Sequence, residues 1–169
     1  YGDVVVQHWT GERLPLATNL ARLVVVEDRG GLSSDEIMRV VAPRGAACFR
    51  KGGKWVKKVK PWPEKMDEWT HYLHGPNNNA SGEDEIVGPP RHMQWRGAPL
   101  WCRSHDHLAS VSAVVTSGGR IFYIVDRGPR ETIALPSKWF LVARDAFNGV
   151  KLWERRVKPW EPRLRGFRS

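Results

Sequence analysis

Cysteine is almost absent from this chain. Cys48 and Cys102 are the only two in 169 residues, with no C-x-x-C pair, so neither a disulfide framework nor a cysteine zinc site is implied. Long apolar runs are missing as well: none approaches the ~18 residues that a membrane-spanning helix needs. The opening YGDVVVQHW has no initial Met and no signal-peptide pattern, and it reads as the middle of a strand. The closing RRVKPWEPRLRGFRS has no cap or final apolar element, so the chain is expected to be a fragment of a longer protein. There is no Gly-x-Ser-x-Gly elbow, no phosphate-binding P-loop and no GxGxxG. Acidic residues are in deficit: 18 Asp and Glu face 27 Lys and Arg, a net charge of +9. That balance raises nucleic acid, an acidic glycan or a membrane surface as partners. No helix-turn-helix and no RNA-recognition aromatic signature is present, so nucleic acid is not expected.

Residues 1–60 alternate strand and helix signals. Asp3–Trp9 and Leu20–Asp28 are β-branched apolar runs of the kind that buried parallel strands show. SSDEIMRVVAP offers Ser33 or Ser34 as N-cap, with Asp35 and Glu36 in the first turn, where they suit the helix dipole. Ile37, Val40 and Val41 make one apolar face, and Pro43 and Gly45 are expected to end the helix. AACFRKGGKWVKKVK then reads as a strand, a Gly-Gly turn and a basic strand. The expected fold class for this half is α/β.

GERLPLATN, LVVVED and DEIMRVVAPRGAACF resemble the second half of a class I S-adenosylmethionine (SAM)-dependent methyltransferase, a Rossmann-like fold. Glu36, Arg39, Val40, Pro43 and Gly45 match that family's E-x-x-RVLKPGG motif, with Arg44 in place of its first Gly. Glu12, Leu14 and Pro15 approximate its adenine-side loop, and the resemblance implies Glu12 as a SAM-contacting residue. The family's glycine-rich cofactor loop and ribose-binding acid do not occur here, so the chain alone is expected to be inactive as a methyltransferase.

From Trp62 the pattern changes to loops and short strands, and nine Trp are spread over the chain. Residues 61–100 are rich in Gly, Pro and Asn and read as a linker or lead-in. Ser110–Gly119, Arg120–Asp126, Lys138–Gly149 and Val150–Val157 are four strand candidates, with Gly118-Gly119 and Asn148-Gly149 as turn signals. Four antiparallel strands in about fifty residues make one propeller blade.

GGRIFYIVD and LVARDAFNGVKLWE are similar to the repeat of quinoprotein-type propellers, in which a strand ends A-x-D-A-x-x-G and the next carries a Trp. Asp145, Ala146, Gly149 and Trp153 are the matching positions; the resemblance implies that Asp and Gly shape the hairpin while Trp packs between neighbouring blades. With EWTHYLHGPNNNAS and GPPRHMQWRG as lead-in, nearly the whole chain resembles a planctomycete-type bacterial family. Its members are PQQ-binding-like β-propeller repeat proteins with an upstream methyltransferase-like domain. The expected organisation is a partial methyltransferase-like α/β domain over 1–60, a lead-in over 61–100, and an all-β first blade region over 101–169. The resemblance implies a ligand- or partner-binding scaffold, with an extracytoplasmic location favoured. The alternatives are a quinoprotein-like oxidoreductase, a carbohydrate-active propeller enzyme, or methyl transfer by a complete protein. Pyrroloquinoline quinone (PQQ) and SAM enter by resemblance only.

Three stretches are candidate sites. His105-Asp106-His107 on an extended segment would place both imidazoles on one side, close enough to share a divalent metal, with Asp106 opposite. The alternative is a polar loop at the propeller end; a third ligand would have to come from His71, His74 or His92. His71 and His74 would share a face only if a helical turn forms there, and Asn77, Asn78 and Asn79 favour turns. Arg50, Lys51, Lys54, Lys57, Lys58 and Lys60, interleaved with Trp55 and Trp62, suit an acidic polysaccharide or other polyanion; the usual reading of such a cluster is a solvated edge strand guarded by lysines.

Overall fold

The computed structural model describes residues 4–86, 88, 93–98, 111–131 and 135–158. The chain divides into two compact units, Tyr1–Glu64 and Lys65–Ser169.

The first unit contains β1 (Ala21–Val26), α1 (Ser34–Val40), β2 (Val41–Lys51) and β3 (Lys54–Val59), with sheet order β1-β2-β3. Ser33 caps α1: its Oγ accepts from Glu36 N at 3.1 Å, which satisfies one of the unpaired first-turn amides. At the other end, Lys60 Nζ donates to Met38 O at 2.8 Å and to Asn19 Oδ1 at 2.7 Å, so a cation sits on the carbonyl end of the helix. β1 and β2 run parallel through this single crossover, and β3 returns antiparallel around Gly52 and Gly53, both at positive φ. Val26, Ile37, Val41 and Ala47 form the core, with Leu32, Met38 and Phe49 packed around them.

The α/β expectation for residues 1–60 is overturned: the described residues are mostly β, in two sheets, with one helix of 7 residues. Three physical facts account for this. Val4, Val5 and Val6 are exposed and form no strand, since a β-branched run without a partner ladder has nothing to pair with. The helix stops at Val40 and not at Pro43, because Val41 is already extended (φ −70, ψ 130) and opens β2 directly. Pro43 and Gly45 therefore lie inside a strand. One short helix covers one face only: Val24 and Val26 pack toward it, while Leu23 and Val25 are exposed on the other face. No Rossmann-like layering of helices on both faces is present among the described residues.

The second unit carries β4 (Val111–Ser117), β5 (Arg120–Asp126), β6 (Trp139–Asp145) and β7 (Lys151–Arg156), an antiparallel meander in the order β4-β5-β6-β7. Gly118 and Gly119, with φ of 59 and 74, close the first hairpin. Asp145 shapes the last one: its Oδ1 accepts from Phe147 N at 2.9 Å and Asn148 N at 3.2 Å, and its own carbonyl accepts from Gly149 N. The turn thus begins at Asp145 and spans more than the Asn-Gly pair. Buried Asp126 does similar work, accepting from Gly128 N at 2.7 Å and Lys138 N at 2.8 Å. Val125, Trp139, Val142 and Ala143 are the buried apolar residues of this sheet. Among the described residues, no helix is long and apolar enough to cross a membrane.

Candidate functional site

The lead-in loop builds a polar knot around Asp67. Its Oδ2 lies 2.6 Å from His74 Nε2 and accepts from Glu83 N at 2.7 Å, while its Oδ1 accepts from Glu68 N at 2.7 Å. The Glu83 amide, then the His74 ring, hold the Asp67 carboxyl below its ordinary range against the opposing effect of burial. His74 is buried at φ 69, edge-on to Trp69 with ring centroids 5.1 Å apart. Trp69 is tied to β4 in turn: its amide donates to Thr116 Oγ1 at 2.8 Å and its carbonyl accepts from Thr116 N at 2.7 Å. Glu68 accepts from Gly118 N.

No helical turn forms here. His71 and His74 face each other across a short β-bridge and hold different partners, Thr70 Oγ1 for the His71 ring and Asp67 for His74. Asn78 takes φ 56, and Asn77 Oδ1 accepts from Asn79 N at 3.1 Å, so this Asn run makes a turn. The Asp67 knot was not legible in advance, since one Asp in MDEW carries no spacing signal. Its bonds hold the loop together, while Trp69 and Glu68 beside it tie the loop to Thr116 and Gly118.

Glu36 and Arg39 form the second polar centre. The guanidinium makes paired contacts of 2.7 Å with the Glu36 carboxylate and reaches Leu14 O, Leu16 O and Thr18 Oγ1. Glu36 Oε1 also accepts from Leu14 N at 2.7 Å. The bond from Arg39 is the main reason the Glu36 carboxyl falls from 4.5 to about 2. This pair therefore clips residues 14–18 onto α1. Beside it is an open depression of about 510 Å³, with the exposed Glu12 on its wall alongside Arg13, Ser33 and Asp35. No aliphatic or aromatic side chain lines it.

The basic ribbon is the third feature. All six residues of β3 are exposed, and β3 is the sheet edge. Arg50 and Trp55 are cross-strand partners, with the guanidinium 5.5 Å from the indole centroid, within cation–π range. Lys57 stands opposite Cys48 and Lys51 opposite Lys54. Lys60, grouped with them by sequence, instead caps α1, and burial followed by the Arg39 charge lowers its pKa. Arg44 lies over Trp62 at 4.6 Å.

On the four-stranded sheet, Val115, Phe122, Ala143 and Trp153 are directly opposite one another and make one cross-sheet row. Phe122 and Trp153 rings are 6.0 Å apart, yet Trp153 is 44% exposed. Buried Arg144 anchors the neighbouring backbone, donating to Tyr123 Oη at 2.8 Å, Gly149 O at 2.7 Å and Ala98 O at 2.7 Å. A buried cation satisfied by neutral acceptors of three segments is a structural clamp.

His105 and His107, the candidate metal pair, lie outside the described residues, as does His92. Among the described residues no three His, Cys, Asp or Glu come together in a group able to hold a metal ion. Comparison of the chain with protein-family models, with curated proteins and with solved structures gives no match.

Proposed function

We propose that this chain is a binding scaffold of the PQQ-like propeller type, in which residues 111–158 act as one blade. Its Phe122–Trp153 face takes a second four-stranded sheet of the same kind, and its basic ribbon takes an acidic polymer. The observation that carries the reading is Trp153. A large aromatic set at the centre of a strand, in a row with Phe122 and Val115, remains 44% exposed although the sheet's other Trp, Trp139, is 1% exposed. Leaving an indole half in water forgoes roughly 1–2 kcal/mol that burial would contribute. In the propeller repeat that this segment resembles, that indole is where the adjacent blade packs. The flanking β7 residues Lys151 and Arg155 are charged and exposed, giving the apolar row a polar rim of the kind interfaces have.

Sedimentation velocity of the whole chain tests this. The isolated protein should self-associate as its concentration rises, through this face, and Trp153→Glu should leave it monomeric at the same concentrations. A wild-type chain that remains monomeric with Trp153 still solvent-quenchable would remove the reading.

A further inference from the structure

We infer that the open face of the β2–β3 ribbon binds an acidic polysaccharide, with a sugar ring on the Trp55 indole and its carboxylates on Arg50 and Lys57. This inference rests on the binding-scaffold reading and gives the scaffold's basic surface a ligand class. Strand geometry sets the arrangement. Residues two apart on a strand share a face and lie about 7 Å apart, so Trp55 and Lys57 point the same way. Arg50, directly opposite Trp55, points that way too. Trp55 is 49% exposed, and Arg50 and Lys57 are exposed beside it. No Asp or Glu occurs from Arg44 to Pro63, and among the described residues none of the ribbon's cations Arg50, Lys51, Lys54, Lys57 or Lys58 is held in an ion pair. Clustered cations around a flat aromatic are complementary to a polymer that alternates anionic groups with a ring.

The aromatic count favours a sugar over a nucleic acid. Sequence-tolerant binding of single strands uses aromatic platforms for successive bases. Here the next same-face position after Lys57 is Val59, and the position across from Trp55 is Arg50, so among the described residues of β2 and β3 this face has one platform. A pyranose offers a flat C–H face to a single indole, while neighbouring uronate carboxylates meet a guanidinium and an ammonium. The α1-covered face carries Phe49 and Val56; there the Phe49 ring packs against the core and is covered by the Arg29 guanidinium at 4.5 Å.

Isothermal titration calorimetry of the whole chain with a galacturonate decamer at low salt provides the test. Arg50→Gln/Lys57→Gln, at exposed positions, should retain the wild-type circular dichroism and weaken binding by at least about tenfold. Trp55→Ala should also weaken it, and a ten-nucleotide single-stranded DNA should bind at least about tenfold more weakly than the decamer. The charge-matched Arg155→Gln/Arg156→Gln should bind like wild type. An absence of binding, an equal loss in the charge-matched control, or tighter binding of the oligonucleotide would each overturn the proposal. Decamer binding that survives the Arg50/Lys57 substitutions would overturn this site while leaving the blade reading intact. Loss of Trp153-dependent association with decamer binding retained would count against the blade and not against the ribbon.

Discussion

Trp95 lies flat against Gly149: a Cβ built on that glycine would come within 2.3 Å of Trp95 Cε3 and 3.0 Å of its Cγ. The indole Nε1 also donates to Ala146 O at 2.9 Å, so the lead-in is locked onto the β6–β7 turn by both packing and a hydrogen bond. Gly149 has φ 72 as well, a conformation that costs an L-residue about 1–2 kcal/mol. Gly149→Ala should therefore destabilise the second unit by at least about 2 kcal/mol, since strain and displacement of Trp95 act together. Urea unfolding followed by tryptophan emission measures it; a change under about 0.5 kcal/mol would mean that Trp95 does not occupy this seat.

The two Trp of the four-stranded sheet should behave differently. Trp139, 1% exposed, should cost roughly 3–5 kcal/mol on truncation to Ala, the range for a large buried aromatic. Trp153 should cost only about 1–2 kcal/mol in the same chain, because nearly half of its surface is already in water. Equal losses in thermal unfolding would contradict the exposed placement of Trp153.

Acid should loosen the first unit through Glu36. Its carboxyl sits at about 2 when folded, below its ordinary 4.5, mainly because Arg39 donates to it. A depressed carboxylate stabilises the folded state fully above the unfolded value, and that stability is lost as pH falls through the folded one. Wild-type protein should thus lose stability between about pH 4.5 and 2, and Glu36→Gln should be less stable at neutral pH with a flatter profile in that window. Denaturant titrations at several pH values check this; parallel profiles for the two proteins would refute it.

Lys60 supplies a related test at the helix end. Its ammonium bonds Met38 O and Asn19 Oδ1 from a half-buried position. Lys60→Met keeps the stem but leaves that carbonyl without its cation, and should cost about 1–3 kcal/mol. Amide exchange of residues 34–40 should accelerate in step; unchanged protection there would show that the helix end does not depend on this contact.

Local pattern was readable where one short-range rule decided the outcome. Ser33 as a cap, the Gly52-Gly53 and Gly118-Gly119 turns, and strands β4 to β7 all follow from neighbours in sequence. Asp3–Trp9 misled because a β-branched run implies a strand only when a partner ladder exists. Pro43 and Gly45 misled because β-branched Val40 and Val41 turned the chain into β2 before either was reached. The α/β reading failed for the same reason: one crossover with a 7-residue helix does not make a layered fold. Asp67 and Arg144 were invisible in advance since their partners lie up to 17 and 46 residues away. At the candidate surfaces, the sequence grouped Lys60 with the ribbon's cations; only the fold separates it as a helix cap and brings Arg50 beside Trp55.

Fluorine NMR of the chain labelled with 5-fluorotryptophan tests the scaffold account most directly. The Trp153 and Trp139 resonances are assigned from the signals lost in Trp153→Phe and Trp139→Phe, and the protein is then concentrated stepwise. The account predicts that the Trp153 resonance moves or broadens with concentration and loses its solvent isotope shift, while that of Trp139 stays in place. A Trp153 resonance that is unchanged across the series, in a sample that does associate, would contradict it.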